Sequence, residues 1–316
     1  MTRKLCSLLI SSFAVLLLMG AGVEEDSAAL VDESGSEAVQ TAATQVETEE
    51  QAEPVAAISG ESVLSQVEEV DPTLTVDGQP VTADVAKTYR GDTTYVALVP
   101  MSKCLDSTVQ SKWDAGTRTA TVHNDKLVLT AKAGDLYLTV NGRYFYTPEG
   151  IQIENGKIMV PLSALVKAFD GSLTWNGTTG MTAVTRGSGA AKSGDQYYNA
   201  DDLFWLSRVI YTESGNQPLE GKMAVGNVVM NRVKHPSFPG TIEGVLAQKN
   251  QFTTYWSGHI ARSTPNAESV IAAKLVLDGG VVEEVKNALY FDSAANSWAS
   301  RNRTCVAVIG GHRFYA

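Results

Sequence analysis

The chain is poor in the residues that staple or metallate a fold. It has three cysteines and four histidines in 316 residues. That leaves no disulfide framework, and the histidines show no ligand-like spacing. Lys and Arg are absent from Glu24 to Asp71, where Glu and Asp recur and no aromatic occurs. Such a segment cannot bury enough apolar surface to offset its chain entropy, so it is expected to be disordered and, by self-repulsion, extended. The net charge is −10, from 35 acidic against 25 basic residues. Much of the excess lies in this tail, and nothing makes the basic face that nucleic-acid binding requires.

Long apolar runs are missing apart from one at the start. Met1-Thr-Arg3-Lys4 leads into an apolar run from Leu5 to Met19, followed by Gly20-Ala21-Gly22. A basic start, a short apolar core and a small-residue exit make a secretory signal peptide over residues 1–22. A retained membrane anchor is the competing reading, although the run falls short of the ~20 residues of a comfortable span. No Cys follows the apolar core, so a lipoprotein anchor is not indicated. Either way the protein is expected to work outside the cytoplasm, with residues 23–71 as an acidic spacer. Cys6 leaves with the signal. Cys104 and Cys305 remain, in different expected domains, either as an interdomain disulfide or as two half-buried thiols.

The middle of the chain repeats itself. Thr75-Val-Asp-Gly78 recurs as Thr139-Val-Asn-Gly142, and Tyr95-Val-Ala-Leu98 as Met159-Val-Pro-Leu162. Lys103-Cys-Leu-Asp106 recurs as Lys167-Ala-Phe-Asp170, and Lys112-Trp113-Asp as Thr174-Trp175-Asn. The offset is 64 until a two-residue difference just before the tryptophans, which reads as an internal duplication. Alternating β-branched residues around Gly turns predict strands, with a short amphipathic helix from Met101. Trp113-Asp-Ala-Gly-Thr-Arg-Thr-Ala-Thr-Val122 and the Val-Pro-Leu before the second helix carry a resemblance to the copper amine oxidase N-terminal-like domain, over residues 72–186. Despite that family's name the resemblance implies no copper, since His123 is the region's single histidine. It implies a stalk or wall-association module. Gly187-Ser-Gly-Ala-Ala-Lys-Ser-Gly194 then begins a linker, residues 187–198, of flexible composition.

In residues 199–316, Asn199-Ala-Asp201-Asp202 offers N-caps for a helix with Leu203, Leu206 and Ile210 on its core face. Glu213 is a charged exception at the end of this helix. An apolar setting would raise its pKa and keep a proton on it near neutral pH, the state a general acid needs. The competing reading is a helix-end Glu paired with Arg208 or facing water. Ser214-Gly-Asn-Gln-Pro218 breaks the helix. The next one carries Gly221, Ala224 and Gly226, which let another helix approach, and ends by His235-Pro236. A further helix runs from near Thr264-Pro265 to Asp278-Gly279-Gly280. Gln248 to Trp256 reads as a loop rich in amides and aromatics, suited to sugar rings and peptide stems. Tyr290-Phe291 and Cys305 to Tyr315 read as two short strands, open to pairing as a hairpin across a cleft.

Five blocks of this region resemble the SleB-type cell wall hydrolases, the spore-cortex-lytic family. They are Arg208-Val-Ile-Tyr-Thr-Glu213-Ser, Glu220-Gly-Lys-Met-Ala-Val-Gly-Asn-Val-Val-Met-Asn231-Arg232, Gln251-Phe252, Ala288-Leu-Tyr290-Phe291 and Ile309-Gly-Gly-His312-Arg-Phe314-Tyr315. Thr212, Ser214 and Thr253 depart mildly from the family's usual residues. The resemblance implies a multidomain chain in which a lysozyme-like α+β domain, mainly helical with a short β-hairpin, follows a tandem of small α+β repeats. It implies peptidoglycan glycan strands as substrate and no cofactor or metal. Glu213 would be the catalytic acid, and Gln251, Phe252, Tyr290, His312 and Tyr315 would line the cleft. Core packing is the competing reading for Phe252, Phe314 and Tyr315.

A two-carboxylate glycosidase needs a second acid at a defined distance. Glu220, Glu243 and Asp292 are the candidates, and none carries a strong signal. The resemblance implies instead a lytic transglycosylase, which can work with one carboxyl. A hydrolase cutting the same bond and a wall-binding protein without activity are the alternatives. A zinc amidase is disfavoured by the scattered histidines.

Overall fold

Two hairpins turn on the repeated Asp-Gly and Asn-Gly pairs. Asp77 and Gly78 have φ of 49° and 80°, and Asn141 and Gly142 have φ of 50° and 81°. Positive φ at both central residues is the turn that matches the twist of paired strands, and Asn or Asp followed by Gly adopts it most readily. The structure is a computed structural model and describes residues 70–316 apart from positions 250 and 295. The signal-peptide reading and almost all of the acidic spacer therefore lie outside the described residues. Among the described residues, no helix is long and apolar enough to cross a membrane.

The β-rich part starts with β1 (Val70–Val76), β2 (Gln79–Thr82), β3 (Lys87–Arg90) and β4 (Thr93–Ala97), then α1 (Leu98–Leu105). Next come β5 (Gln110–Asp114), β6 (Thr119–His123), β7 (Val128–Lys132), β8 (Tyr137–Val140) and β9 (Arg143–Tyr146). It closes with β10 (Gln152–Glu154), β11 (Lys157–Pro161), α2 (Leu162–Ala168), β12 (Ser172–Asn176) and β13 (Met181–Thr185). Three sheets result, ordered β12-β13-β1-β2, β10-β11-β4-β3 and β5-β6-β7-β8-β9. In the second sheet Val96 pairs antiparallel with Val160, so positions 64 apart meet. The inward residues of β6 and β8, Ala120, Val122, Leu138 and Val140, alternate with less buried neighbours. One face is core and the other is wetter, as expected of an antiparallel sheet.

The C-terminal part is helical. It comprises α3 (Gly194–Tyr197), α4 (Ala200–Ser214), α5 (Leu219–Lys234), α6 (Ile242–Leu246), α7 (Thr253–Trp256), α8 (His259–Arg262), α9 (Ala267–Leu277) and α10 (Trp298–Asn302). Asn199 caps α4, its side chain accepting from the amides of Asp201 and Asp202, and so satisfies donors that the first turn leaves free. A Cβ on Gly226 of α5 would lie 3.0 Å from Ile210 of α4 and 3.1 Å from Val276 of α9. The small residue sets how closely the three helices pack. The segment read as an amide-rich loop contains the helical turn α7. The two expected strands are three: β14 (Tyr290–Asp292), β15 (Cys305–Ile309) and β16 (His312–Tyr315) pair in the order β14-β16-β15. Cys104 is half-buried, Cys305 is exposed, and both are free thiols.

The Gly/Ser stretch read as a flexible linker is pinned down instead. The amides of Gly189, Ala191 and Gly194 donate to the carbonyls of Phe169, Ala168 and Asn141, and Ala191 is buried. Backbone bonds to the domain it leaves hold what composition alone would set free. Beyond it, Arg143 of β9 makes a bidentate pair with Asp278 at the end of α9, at 2.9 and 2.7 Å, with both side chains buried. Lys167 Nζ at 2.6 Å and the Tyr198 hydroxyl at 3.1 Å also donate to Asp278. The Arg143 guanidinium lies 3.5 Å from the Tyr197 ring centroid. The described residues fall within one compact unit.

Candidate active site

Glu213 occupies the last turn of α4, one residue before its end. The C-terminal end of a helix carries partial negative charge, a poor setting for a carboxylate. The side chain is also half-buried. Burial pushes its pKa above the usual glutamate value, against a hydrogen bond from Thr254 and the charge of His259, which pull it down. Thr254 Oγ1 donates to Glu213 Oε1 at 3.1 Å. Arg208, the ion-pair partner in the competing reading, is turned elsewhere. Its guanidinium lies 3.7 Å from the Phe204 ring centroid and donates to the Phe204 carbonyl at 3.3 Å.

The chain after Glu213 is clasped to the β16 end of the sheet. Gln217 Oε1 accepts from the Gly311 amide at 2.7 Å. Gly310 has φ +56°, and a Cβ there would lie 2.2 Å from Gln217 Oε1. The left-handed backbone at 310 favours glycine, and a side chain there would also displace the Gln217 amide from the Gly311 N–H.

Five residues were expected to line the cleft, and the structure divides them. Phe252, His312 and Tyr315 are 5%, 8% and 1% exposed, packed largely into the interior. The reason is β16's central place in its sheet, with Phe252 filling the space beside it. The Phe252 and Phe291 rings are 6.5 Å apart, and Phe291 and His312 are 5.7 Å apart. Burial lowers the pKa of His312, with Asp292 opposing. Tyr290 is half-buried and Gln251 exposed, and both remain accessible. Tyr290 stacks on Trp298 at 5.5 Å between centroids.

Sequence reasoning missed the parts that tie these together. Arg232 is buried with its guanidinium 5.3, 5.6 and 5.4 Å from the rings of Phe238, Phe252 and Tyr290. Its Nε donates to the Leu289 carbonyl at 2.7 Å. Burial lowers its pKa to about 10, so it stays charged at neutral pH. The turn Phe252–Trp256 then links the aromatic cluster to the acid, since Phe252 belongs to the cluster and Thr254 holds Glu213. A Thr two positions beyond Gln251-Phe252 was the available signal for this contact, but only the helical turn aims it at Glu213.

Each second-carboxylate candidate accepts a hydroxyl hydrogen bond. Glu220 accepts from Tyr146 at 3.1 Å and Glu243 from Tyr255 at 3.1 Å. Asp292 accepts from Ser297 and, at 3.5 Å, from Tyr315. Among the described residues, the charge that acts on Glu213 is that of His259, and no carboxylate is among its perturbers.

Residues 216–315 match the family model described as Cell Wall Hydrolase, and residues 75–184 match that of the Copper amine oxidase N-terminal domain. The C-terminal domain thus belongs to the cell wall hydrolase class, of SleB type, behind a copper amine oxidase N-terminal-like domain. Within that class its relatives are spore cortex-lytic enzymes. That of Bacillus cereus is 36% identical over 121 residues, 37% of this chain and 45% of the relative. That of Oceanobacillus iheyensis is 29% identical over 166 residues, 52% of this chain and 59% of the relative. These matches span about half the length of the relatives. The crystallised catalytic domain of Bacillus cereus SleB shares 33% identity, covering 38% of this chain and 92% of that one, at a TM-score of 0.34. A second match is the catalytic domain of the germination-specific lytic transglycosylase SleB of Bacillus anthracis, also 33% identical, over 38% of this chain and 97% of that one, at a TM-score of 0.34. Glu213 lies three positions before the first residue of the family-model match. Among the described residues, no group of three or more His, Cys, Asp or Glu could hold a metal ion.

Proposed function

We propose that this chain degrades peptidoglycan, cutting the glycosidic bond between N-acetylmuramic acid and N-acetylglucosamine as a lytic transglycosylase with Glu213 as its one catalytic carboxyl. The observation that carries the reading is the state of Glu213, half-buried at a helix end with its pKa raised by burial. A carboxyl that keeps its proton toward neutral pH can give it to the glycosidic oxygen as the bond to C1 breaks. The resulting carboxylate then takes the proton of the muramoyl 6-hydroxyl as O6 bonds to C1. This closes a 1,6-anhydro ring and restores the acid. The nucleophile belongs to the substrate, so no second carboxylate is needed, in keeping with the absence of a carboxylate among the groups that shift Glu213. We read the helical domain as lysozyme-like, the two halves of the β-rich domain as tandem copies, and the chain as secreted and wall-associated. Identity to spore cortex-lytic enzymes favours cortex-type glycan as the substrate.

Mass spectrometry of digested peptidoglycan tests the chemistry. Anhydromuramoyl ends are expected, and reducing muramic acid ends would replace this reading with hydrolysis by water. Thr254 gives a further prediction. Its hydrogen bond stabilises the ionised Glu213, so Thr254→Val should raise the carboxyl's pKa further. The alkaline limb of the pH–rate profile, where the acid loses its proton, should move to higher pH. An unmoved limb would show that this contact does not tune the acid.

A further inference from the structure

The β-rich domain has two clefts that repeat each other. One, of about 560 Å³, lies between Trp175, Leu173, the start of α2 and Thr93–Thr94 of β4. The other, of about 210 Å³, lies between Trp113, Ser111, the start of α1 and Lys157–Ile158 of β11. The same positions of the duplicated sequence line both, so each cleft combines a tryptophan hairpin and helix from one half with a strand from the other. The second is narrower because Lys157 and Ile158 stand where the first has Thr93 and Thr94.

Both tryptophans are costly to leave in water, yet Trp175 is 67% and Trp113 48% exposed. The six-membered ring of Trp175 lies against Gly177, where a Cβ would come within 3.1 Å of it. The hairpin turn backs the indole on that side and leaves the rest to solvent. Around it stand the hydroxyl residues Thr93, Thr94, Ser163 and Thr182. A flat apolar surface rimmed by hydroxyls complements a pyranose, whose C–H face is apolar and whose edge carries hydrogen-bonding groups. The Trp113 cleft adds Lys112 and Lys157, cations that suit the carboxylates borne by muramoyl units and their stem peptides.

We infer that the two clefts are glycan-binding subsites that seat separate sugars of a peptidoglycan strand. A polymer that repeats its sugars meets a domain that repeats its sites, and two weak contacts on one body combine through effective concentration. The inference rests on the reading that the chain acts on peptidoglycan, but it concerns binding and not cleavage.

The test uses the full chain carrying Glu213→Gln, so that the wall is not digested, and measures co-sedimentation with purified insoluble peptidoglycan. Trp113→Ala and Trp175→Ala should each raise the apparent Kd by roughly tenfold, and the double variant by about a hundredfold. Trp175→Phe should keep most of the binding. The melting temperature should stay near the parent's for Trp175→Ala, whose side chain is largely exposed, and fall modestly for Trp113→Ala, whose side chain is half-buried. A folded double variant that binds as tightly as its parent overturns the inference. The chain with Glu213 intact separates the two readings. Wall cleavage with no effect of the tryptophans on binding sinks the clefts alone. Tryptophan-dependent binding without cleavage sinks the catalytic reading alone.

Discussion

Glu213→Gln is expected to lower the rate of wall lysis by about 10²–10⁴-fold, the usual share of a general acid, without loss of folded protein. Glutamine preserves the shape of the carboxyl and can still accept from Thr254, but it cannot deliver a proton. Stability adds a second readout with a definite sign. The folded-state pKa of Glu213 is raised, so between the unfolded value and the folded one the native state binds more protons than the unfolded chain. Wild-type stability should therefore fall as pH rises through that window. The glutamine variant escapes this loss. It should melt at or above the wild-type temperature at pH 7, with the advantage disappearing below the unfolded glutamate pKa of about 4.3. Turbidity of purified sacculi and melting curves at pH 3.5 and pH 7 check both parts. A variant that clears walls at the wild-type rate removes Glu213 from the chemistry.

Asp278→Ala should be the most destabilising single change at the domain junction. Asp278 accepts from Arg143, Lys167 and Tyr198, and removing it leaves a buried guanidinium without its anion. Breaking a buried pair from one side costs about 3–5 kcal/mol, which for a unit of this size lowers the melting temperature by on the order of 10 °C. The loss falls on the junction, so calorimetry should resolve two transitions where the parent shows one. A single transition at the parent's temperature would mean that the pair does not hold the domains together. Replacing Arg143 and Asp278 together by apolar residues should recover part of the loss, because no unpaired charge remains.

What could be read from the sequence was local. Asn199 before an apolar helix, the Gly-to-Pro218 break and the Asp-Gly and Asn-Gly turns act within a few residues, and each element formed where its chemistry called for it. The helix-end position of Glu213 was legible for the same reason, whereas its contacts with Thr254 and His259 come from elements about 40 positions on. The junction was not legible. Arg143 and Asp278 are 135 positions apart, and nothing local distinguishes them from surface charges. Aromatic residues in short strands were ambiguous in principle. His312 and Tyr315 could present rings to sugar or fill the interior, and only the pairing of β16 between β14 and β15 packs them inward. Thr254 needed the turn of α7 to reach Glu213.

The buried junction has a mechanical meaning. A tethered enzyme sweeps a volume around its anchor and cuts wherever it lands. Here the arm carrying Trp113 and Trp175 is joined to the helical part carrying Glu213 through the buried Arg143–Asp278 pair. An arm seated on a glycan would hold the acid at a set distance and attitude, so the protein would act as a gauge and not as a leash. The spacing of its cuts along a strand would then be written in the shape of the junction.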